Sequence, residues 1–324
     1  MKVLVTGGAG FIGSHLVERL ANANQVVVLD DFSAGMKENL AHLKNMGIEI
    51  VKGSVANSEI VEYCVRDADQ IFHLAGKTNV DESLYFPEIF NEVNANGTLN
   101  ILRSAKQRNI PIVHMSTSEV YGSAQYAPMN EMHPLNPQSP YAASKVAAER
   151  YCYSFFTSFK SKVVIIRSFN NYGPRQKGNV EFGGLIASNI IRILRNQAPI
   201  IRGNGNQTRD YMFVKDTVEA LLKIGGESSL YGEVLNLGTG IDYSASKIVQ
   251  MILEITRSDL EPLAEASRPG DVDRLVCDAS KAFRKTNWKP KYDLKKGLEE
   301  TIEWYRNNIN RFDDYIFPSF RQKW

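Results

Sequence analysis

The sequence predicts an α/β fold in which a doubly wound parallel sheet is followed by a smaller α/β region. Three observations predict it. Short apolar runs without alternation recur through the first half of the chain, separated by stretches with helical apolar spacing. A cluster of glycines follows directly on the first run. The length, 324 residues, exceeds the usual size of one domain and leaves room for about two that share a cleft.

Lys2 to Thr6 is the first run, short and apolar throughout, as expected of a parallel strand covered on both faces. Gly7-Gly8-Ala9-Gly10-Phe11-Ile12-Gly13 follows, then a helical pattern over 14–21 with Leu16 and Leu20 on one face. The glycines fit G-x-G-x-x-G at 8, 10 and 13 or G-x-x-G-x-x-G at 7, 10 and 13. Either spacing lets backbone N–H groups and a helix N-terminus approach a pyrophosphate with no Cβ in the way. A second strand over 25–29 ends in Asp30-Asp31, where a carboxylate would meet a ribose 2′-hydroxyl and repel a 2′-phosphate. The order strand, glycine turn, helix, strand, acid points to a dinucleotide, with NAD favoured over NADP.

The alternation continues with a strand over 48–51, a helix over 58–65, and a strand over 70–74 that runs into His73-Leu74-Ala75-Gly76. A long helix is predicted over 87–108 and a fifth strand over 112–115. Ligands of such a sheet sit at the carboxyl ends of its strands. Thr117, Ser118 and Glu119 follow the fifth strand directly, which aims them at the same crevice as the glycine turn. A helix starting near Tyr141 carries Lys145 one turn on, on the same face. Its continuation is apolar on more than one side, which suits burial by the sheet and by a second subunit, so a homodimer is expected.

Beyond Tyr172 the pattern is punctuated by Gly, Pro and Asn. Helices are expected within 181–196 and over 216–224, 244–256 and 294–306, with a turn over 203–207 and a strand over 234–237. This divides the chain into a dinucleotide-binding domain over 1–170 and a smaller substrate domain over 171–324, with 210–237 returning to the first. The tail, 312–324, is aromatic and basic and reads as packing.

The totals exclude other classes. With 43% hydrophobic and 23% charged residues the composition is that of a soluble globular protein, and the net charge of +2 comes without a basic or acidic block. Bulk attraction to nucleic acid or to a membrane surface is not expected. Cys64, Cys152 and Cys277 form no C-x-x-C pair and the five histidines no metal spacing, so neither a metal site nor a disulfide framework is expected. No run reaches the roughly 20 apolar residues of a membrane span, and the start carries no signal-peptide pattern, so a cytoplasmic location is expected.

Taken together, these motifs resemble the extended short-chain dehydrogenases/reductases, the NAD-dependent nucleotide-sugar epimerases, dehydratases and decarboxylases. The resemblance rests on the glycine turn, His73-Leu74-Ala75-Gly76, Ser116-Thr117-Ser118-Glu119-Val120-Tyr121-Gly122 and Tyr141-x-x-x-Lys145. It continues through Arg167-Ser168-Phe169-Asn170-Asn171-Tyr172-Gly173-Pro174-Arg175, Gly205-Asn206-Gln207-Thr208-Arg209-Asp210 and Arg268-Pro269-Gly270-Asp271. It implies that Gly7, Gly10, Phe11, Ile12, Gly13, Asp30, Asp31, Leu74 and Ala75 line the NAD site, together with Tyr141 and Lys145. Tyr141 would take a sugar hydroxyl proton, Lys145 would hold the nicotinamide ribose and lower the Tyr141 pKa, and Thr117 would bond the reacting oxygen. Asn170, Arg209 and Arg268 would contact the nucleoside diphosphate, guanidinium being suited to two phosphate oxygens at once. Where many relatives carry Gly-Asp after the third strand this chain has Gly53-Ser54, which weakens the expected adenine contact.

Such enzymes first oxidise the sugar at C4. A 4,6-dehydratase must then take the C5 proton and protonate the departing C6 hydroxyl, which calls for a carboxyl group beside the threonine. Glu119 fits, with Ser118 relaying or orienting, and the stretch 116–145 looks most like 4,6-dehydratases of the legionaminic-acid type. The expected substrate is a UDP- or GDP-linked hexose or N-acetylhexosamine. A 4-epimerase, a UDP-glucuronate decarboxylase and a non-catalytic NAD-binding protein are the alternatives.

Overall fold

The run Lys2–Thr6 forms β1 in the middle of a seven-stranded parallel sheet. The computed structural model describes residues 1–178, 184–267 and 271–312. After β1 come β2 (Gln25–Asp30), β3 (Glu49–Lys52), β4 (Gln70–His73), β5 (Ile112–Thr117) and β6 (Val163–Ser168). Next, β7 (Asn170–Tyr172), β8 (Ile200–Arg202) and β9 (Thr208–Phe213) leave the sheet, and β10 (Val234–Leu237) lies back at its edge beside β6. The spatial order is β10-β6-β5-β4-β1-β2-β3. The chain winds outward in one direction through β2 and β3 and in the other from β4 onward, so a crevice opens between β1 and β4.

Both faces of the sheet are covered, which explains the missing alternation. Val3 and Val5 face one apolar layer, packed under α1 (Phe11–Ala21) and the later helix Val214–Gly225, while Leu4 faces the other. That other layer lies under α2 (Ser58–Val65), the 87–106 helix and the helix Pro140–Phe159. α1 starts at Phe11 rather than at residue 14, because Gly10 serves as its N-cap. A short helix, α3 (Val80–Tyr85), precedes the long one. The helix expected over 87–108 is α4 (Pro87–Phe90), a π-helical turn at Asn91–Asn96, and α5 (Gly97–Lys106). α6 (Pro140–Phe159) is capped by Ser139, whose hydroxyl accepts from the Ala142 N–H at 3.2 Å, with Pro140 at the position where its missing N–H costs nothing.

The smaller region is built around β9. β7 and β13 (Arg274–Leu275) pair with it in parallel and β11 (Asp242–Ser244) antiparallel, while β12 (Leu263–Glu265) pairs with β8. Helices α7 (Leu185–Leu194), α9 (Ala245–Thr256) and α11 (Leu294–Asn308) close an apolar core with Tyr172, Tyr211 and Phe213. Between them in the chain, α8 (Val214–Gly225) packs on the large sheet and α10 (Ser280–Thr286) beside β10. Phe312 is buried against Tyr305 and Trp304; the rest of the tail lies outside the described residues. Among the described residues no helix is long and apolar enough to cross a membrane, and no group of three or more His, Cys, Asp or Glu could hold a metal ion. All three cysteines are buried free thiols.

Candidate active site

A cleft of about 690 Å³ runs along the carboxyl edge of the sheet into the smaller region. At one end is the glycine turn. Gly7 has φ +68°, and a Cβ on it would lie 2.8 Å from the Ala75 amide nitrogen; a Cβ on Gly13 would lie 2.1 Å from the Gly7 carbonyl oxygen. Gly7, Gly10 and Gly13 line the cleft together with Phe11 and Ile12. Gly8 faces inward, where a Cβ would meet Val28 at 2.8 Å. Of the two spacings open in the sequence, 7-10-13 is therefore the one that faces the cleft. No side chain caps α1 and no acid sits in its first turn, so its amide end is open to an anion.

Asp30 is buried at the tip of β2, where Oδ2 accepts from the Ala9 N–H at 2.9 Å and Oδ1 from the Phe32 N–H at 2.8 Å. Burial raises its pKa above the ordinary carboxylate value, and the two amides pull it back. Asp31 accepts from the Ser33 N–H at 2.8 Å and also lines the cleft. Ser54 lines it too, but its hydroxyl accepts from the Ala56 N–H at 3.2 Å and so serves the local turn. An open helix end, glycines at the closest approach and a carboxylate at the second strand tip fit a dinucleotide without a 2′-phosphate.

Leu74 and Ala75 close the turn from the other side of the crevice. The Ala75 N–H donates to Thr6 Oγ1 at 3.1 Å, Thr6 Oγ1 lies 2.8 Å from His73 Nδ1, and His73 Nε2 lies 2.9 Å from Thr98 Oγ1. Thr98 donates its own proton to the Asn94 carbonyl at 2.6 Å, which assigns the His73 proton to Nε2. Burial holds His73 down to about 3, so it is a neutral strut under the loop. Asn94, in the π-helical turn, completes the support. Its Oδ1 accepts from the Lys77 N–H at 2.8 Å, and its Nδ2 donates to the Lys77 carbonyl at 3.0 Å and the Ser144 hydroxyl at 2.8 Å. Nothing in its sequence spacing marks Asn94; the π-helical turn that aims it is visible only in the structure.

In the middle of the cleft β5 delivers Thr117, Ser118 and Glu119, and α6 delivers Tyr141 and Lys145. The Thr117 hydroxyl accepts from the Glu119 N–H at 3.2 Å and so caps the short turn that follows, a task Glu119 does not have to perform. Lys145 donates to the Met115 carbonyl at 2.6 Å. The resemblance led to the expectation that Lys145, holding the nicotinamide ribose, lowers the Tyr141 pKa; without the cofactor other groups set that pKa. Burial pushes the Tyr141 phenol up to about 12, the Thr117 hydrogen bond lowers it and the charge of Glu119 raises it further. Lys145 is itself held down to about 8 by burial, against a raising effect of Glu149. Its ammonium is bonded to the Met115 carbonyl.

The far end belongs to the smaller region. Asn171 is held by Ser168, Phe169 and Thr217, whereas Asn170 Oδ1 is buried and without a partner among the described residues. Both line the cleft. Arg209 Nη2 donates to Asp271 Oδ1 at 2.9 Å and Nη1 to the Thr208 carbonyl at 2.9 Å. Asp271, quoted in the sequence only as part of a motif, orients Arg209. Arg268 lies outside the described residues. Arg175, quoted in the sequence only as part of a motif, reaches from the smaller region to α1, where Nη2 donates to Glu18 Oε2 at 2.5 Å. Its Nη1 is buried without a partner among the described residues, and the residue lines the cleft.

Comparison with known proteins places this geometry. The family model described as GDP-mannose 4,6 dehydratase matches residues 4–301. The chain is 36% identical over 312 residues to a UDP-glucose 4-epimerase of Mycolicibacterium smegmatis, covering 95% of this chain and 99% of that one. It is 32% identical to UDP-glucuronic acid decarboxylase 1 of Danio rerio, over 95% of this chain and 73% of that one. A dTDP-glucose 4,6-dehydratase of Streptomyces venezuelae, solved with NAD bound, superposes with a TM-score of 0.92 at 30% identity, covering 97% of this chain and 100% of the other. Three outcomes of one chemistry are thus represented at similar distance, and the chain belongs to the extended short-chain dehydrogenase/reductase family of NAD-dependent nucleotide-sugar dehydratases, epimerases and decarboxylases.

Proposed function

We propose that the protein is a nucleotide-sugar 4,6-dehydratase that uses NAD and acts on a UDP- or GDP-linked hexose or N-acetylhexosamine. The observation that carries this reading is Glu119: it lines the cleft beside Thr117, and its charge is felt by the Tyr141 phenol. Gly7, Gly10, Gly13 and Asp30 would hold NAD, which would supply the acceptor for the C4 hydride and its donor to C6. Tyr141 takes the C4 hydroxyl proton, with Thr117 bonded to the same phenol. Lys145, once it turns from Met115 to the nicotinamide ribose, brings the positive charge that a phenolate needs. The C4 ketone acidifies the C5 proton, and Glu119, oriented by the buried Ser118, removes that proton and passes it to the C6 hydroxyl, which leaves as water; as hydride returns to C6, C5 takes up the proton that Tyr141 collected from O4. Asn170, Arg209 and Arg268 hold the nucleoside diphosphate.

A 4-epimerase is the second reading. Ser118 favours it, because Glu119 is the lone carboxylate of the trio and must otherwise serve as both base and acid. Offering UDP- and GDP-hexoses, N-acetylhexosamines and hexuronates and weighing the products decides between them. Loss of water supports the dehydratase, unchanged mass with inverted stereochemistry the epimerase, and loss of carbon dioxide a decarboxylase. No conversion of any sugar by protein with bound NAD would leave a non-catalytic role. Glu119→Gln is expected to lower elimination about 10³-fold while NAD stays bound; full elimination by that variant removes Glu119 from the mechanism.

The same reading includes a homodimer. Tyr85, Phe86 and Ile89 before the π-helical turn and Tyr151, Tyr153 and Phe159 on α6 are exposed apolar side chains on helices that cover one face of the sheet. Sedimentation at several concentrations tests it, and a monomer throughout would remove it.

A further inference from the structure

Beneath the cleft lies a set of buried polar side chains that the proposed reaction does not use. Glu149 stands one helical turn beyond Lys145, so Tyr141, Lys145 and Glu149 run down one face of α6. Its side chain is fully buried. Ser116, the residue before Thr117, donates its hydroxyl to Glu149 Oε1 at 2.5 Å. Arg167 on β6 donates from Nε to Oε1 at 3.0 Å and from Nη2 to Oε2 at 2.7 Å. Its Nη1 donates to the Tyr121 hydroxyl at 3.0 Å and the Glu131 carbonyl at 3.3 Å, and Tyr121 donates onward to Asn236 Oδ1 at 2.6 Å.

A buried ion pair is weak support for stability, since an apolar pair of the same volume often serves as well or better. An apolar pair cannot place a fixed negative charge one turn behind a buried ammonium. Of the groups around Lys145, Glu149 favours its charge most, followed by Cys152. His73 from β4 and His114 from β5 are kept neutral, chiefly by burial. The Cys152 thiol on α6 is pushed up by burial, and Tyr141 is protonated for the same reason. The Met115 carbonyl on β5 and the Gly76 backbone bring only dipoles, and Glu149 is paired to two cations, Arg167 at 2.7 Å and Arg150 at 3.7 Å.

We propose that Glu149 is a positioning residue for Lys145: the carboxylate fixed by Ser116 and Arg167 keeps the buried ammonium charged, and so keeps Tyr141 able to act as a base. This rests on the roles given above to Tyr141 and Lys145. It also gives work to Arg167, Tyr121 and Glu131, which carry motifs of the chain without touching the cleft.

The test is the titration of Lys145 in the full-length protein carrying lysine labelled with ¹³C at Cε, the signal being assigned by its loss in Lys145→Met. The midpoint is expected near 8 in the unmodified protein. In Glu149→Gln it falls by about one pH unit, tenfold in the charged fraction, and the alkaline limb of turnover falls with it. A midpoint unchanged in folded Glu149→Gln overturns the inference. Should that variant fail to fold because Arg167 is left unpaired, Glu149→Met/Arg167→Met is compared with Arg167→Met: a lower midpoint in the double variant supports the inference, and equal midpoints overturn it. A lowered midpoint in a protein that converts no nucleotide sugar keeps the inference about Glu149 and removes the functional reading instead.

Discussion

The two ends of the cleft are built by different means. At the glycine end the backbone does the work: Gly7 and Gly13 let chain segments touch, amides of Ala9 and Phe32 hold Asp30, and Thr6, His73, Thr98 and Asn94 brace the opposite loop. At the other end side chains do it, and they are incompletely satisfied. Asn170 Oδ1 and Arg175 Nη1 are buried without partners among the described residues, and Arg209 leans on Asp271 across 62 positions of sequence. The first end is largely complete before its ligand arrives, although Asn39 Oδ1, which is buried in its lining, has no partner among the described residues. The second end offers hydrogen-bonding capacity that a diphosphate and a sugar would fill.

Substitutions should separate the two ends by what they damage. The largest effect belongs to the point where they meet. Tyr141→Phe removes the base and should lower sugar-dependent reduction of bound NAD by about 10³-fold or more, with NAD retained on gel filtration; a loss under tenfold would assign the base elsewhere. At the glycine end Gly13→Ala forces a Cβ to within 2.1 Å of a carbonyl oxygen, where no side chain can yield. About 3 kcal/mol of stability should go, read as a fall in Tm, together with the bound NAD. At the other end Arg209→Met should lower Tm less than Gly13→Ala does, because Arg209 is buried but the Asp271 it leaves behind is partly exposed and can be hydrated. It should instead weaken binding of the accepted nucleotide sugar by about 30-fold, near 2 kcal/mol. If Arg209→Met lowers Tm as much as Gly13→Ala, the contrast between the ends is wrong.

This contrast also governs what could be read in advance. The strands of the large sheet, the turn 7–13 and the acid after β2 are local: each is enforced by neighbours in sequence, by glycine where Cβ cannot fit and by apolar runs where both faces are covered. β7, β8, β11 and β12 have three residues each, too few to show a period, and went unassigned. Asp271 as the partner of Arg209, and Arg167 as the partner of Glu149, join distant parts of the chain, and no spacing announces them. Asn94 depends on a π-helical turn inside what reads as one regular helix. The pKa values of Tyr141 and Lys145 have the same root. Residue types alone put a lysine beside a tyrosine, whereas burial and the Met115 carbonyl decide what each of them does.

Lys145 provides the smallest effect and the one most specific to this arrangement. Burial holds its pKa at about 8, below the ordinary 10.5. Between those values the unfolded chain binds a proton that the folded protein does not, so stability gains with rising pH across about 8 to 10.5. Below about 8 the charged side chain is buried at its full penalty. Turnover runs the other way, since the ammonium that the base requires is lost as pH rises through about 8. Lys145→Met should therefore be more stable than the parent protein at pH 7 by about 1–2 kcal/mol, after allowing for the lost bond to Met115. The gap should close by pH 10, and the variant should be inactive throughout. Thermal unfolding of both proteins at half-unit steps of pH measures it. A gap that stays constant with pH would mean that the stability difference comes from packing, and that Lys145 binds its proton equally in the folded and the unfolded protein.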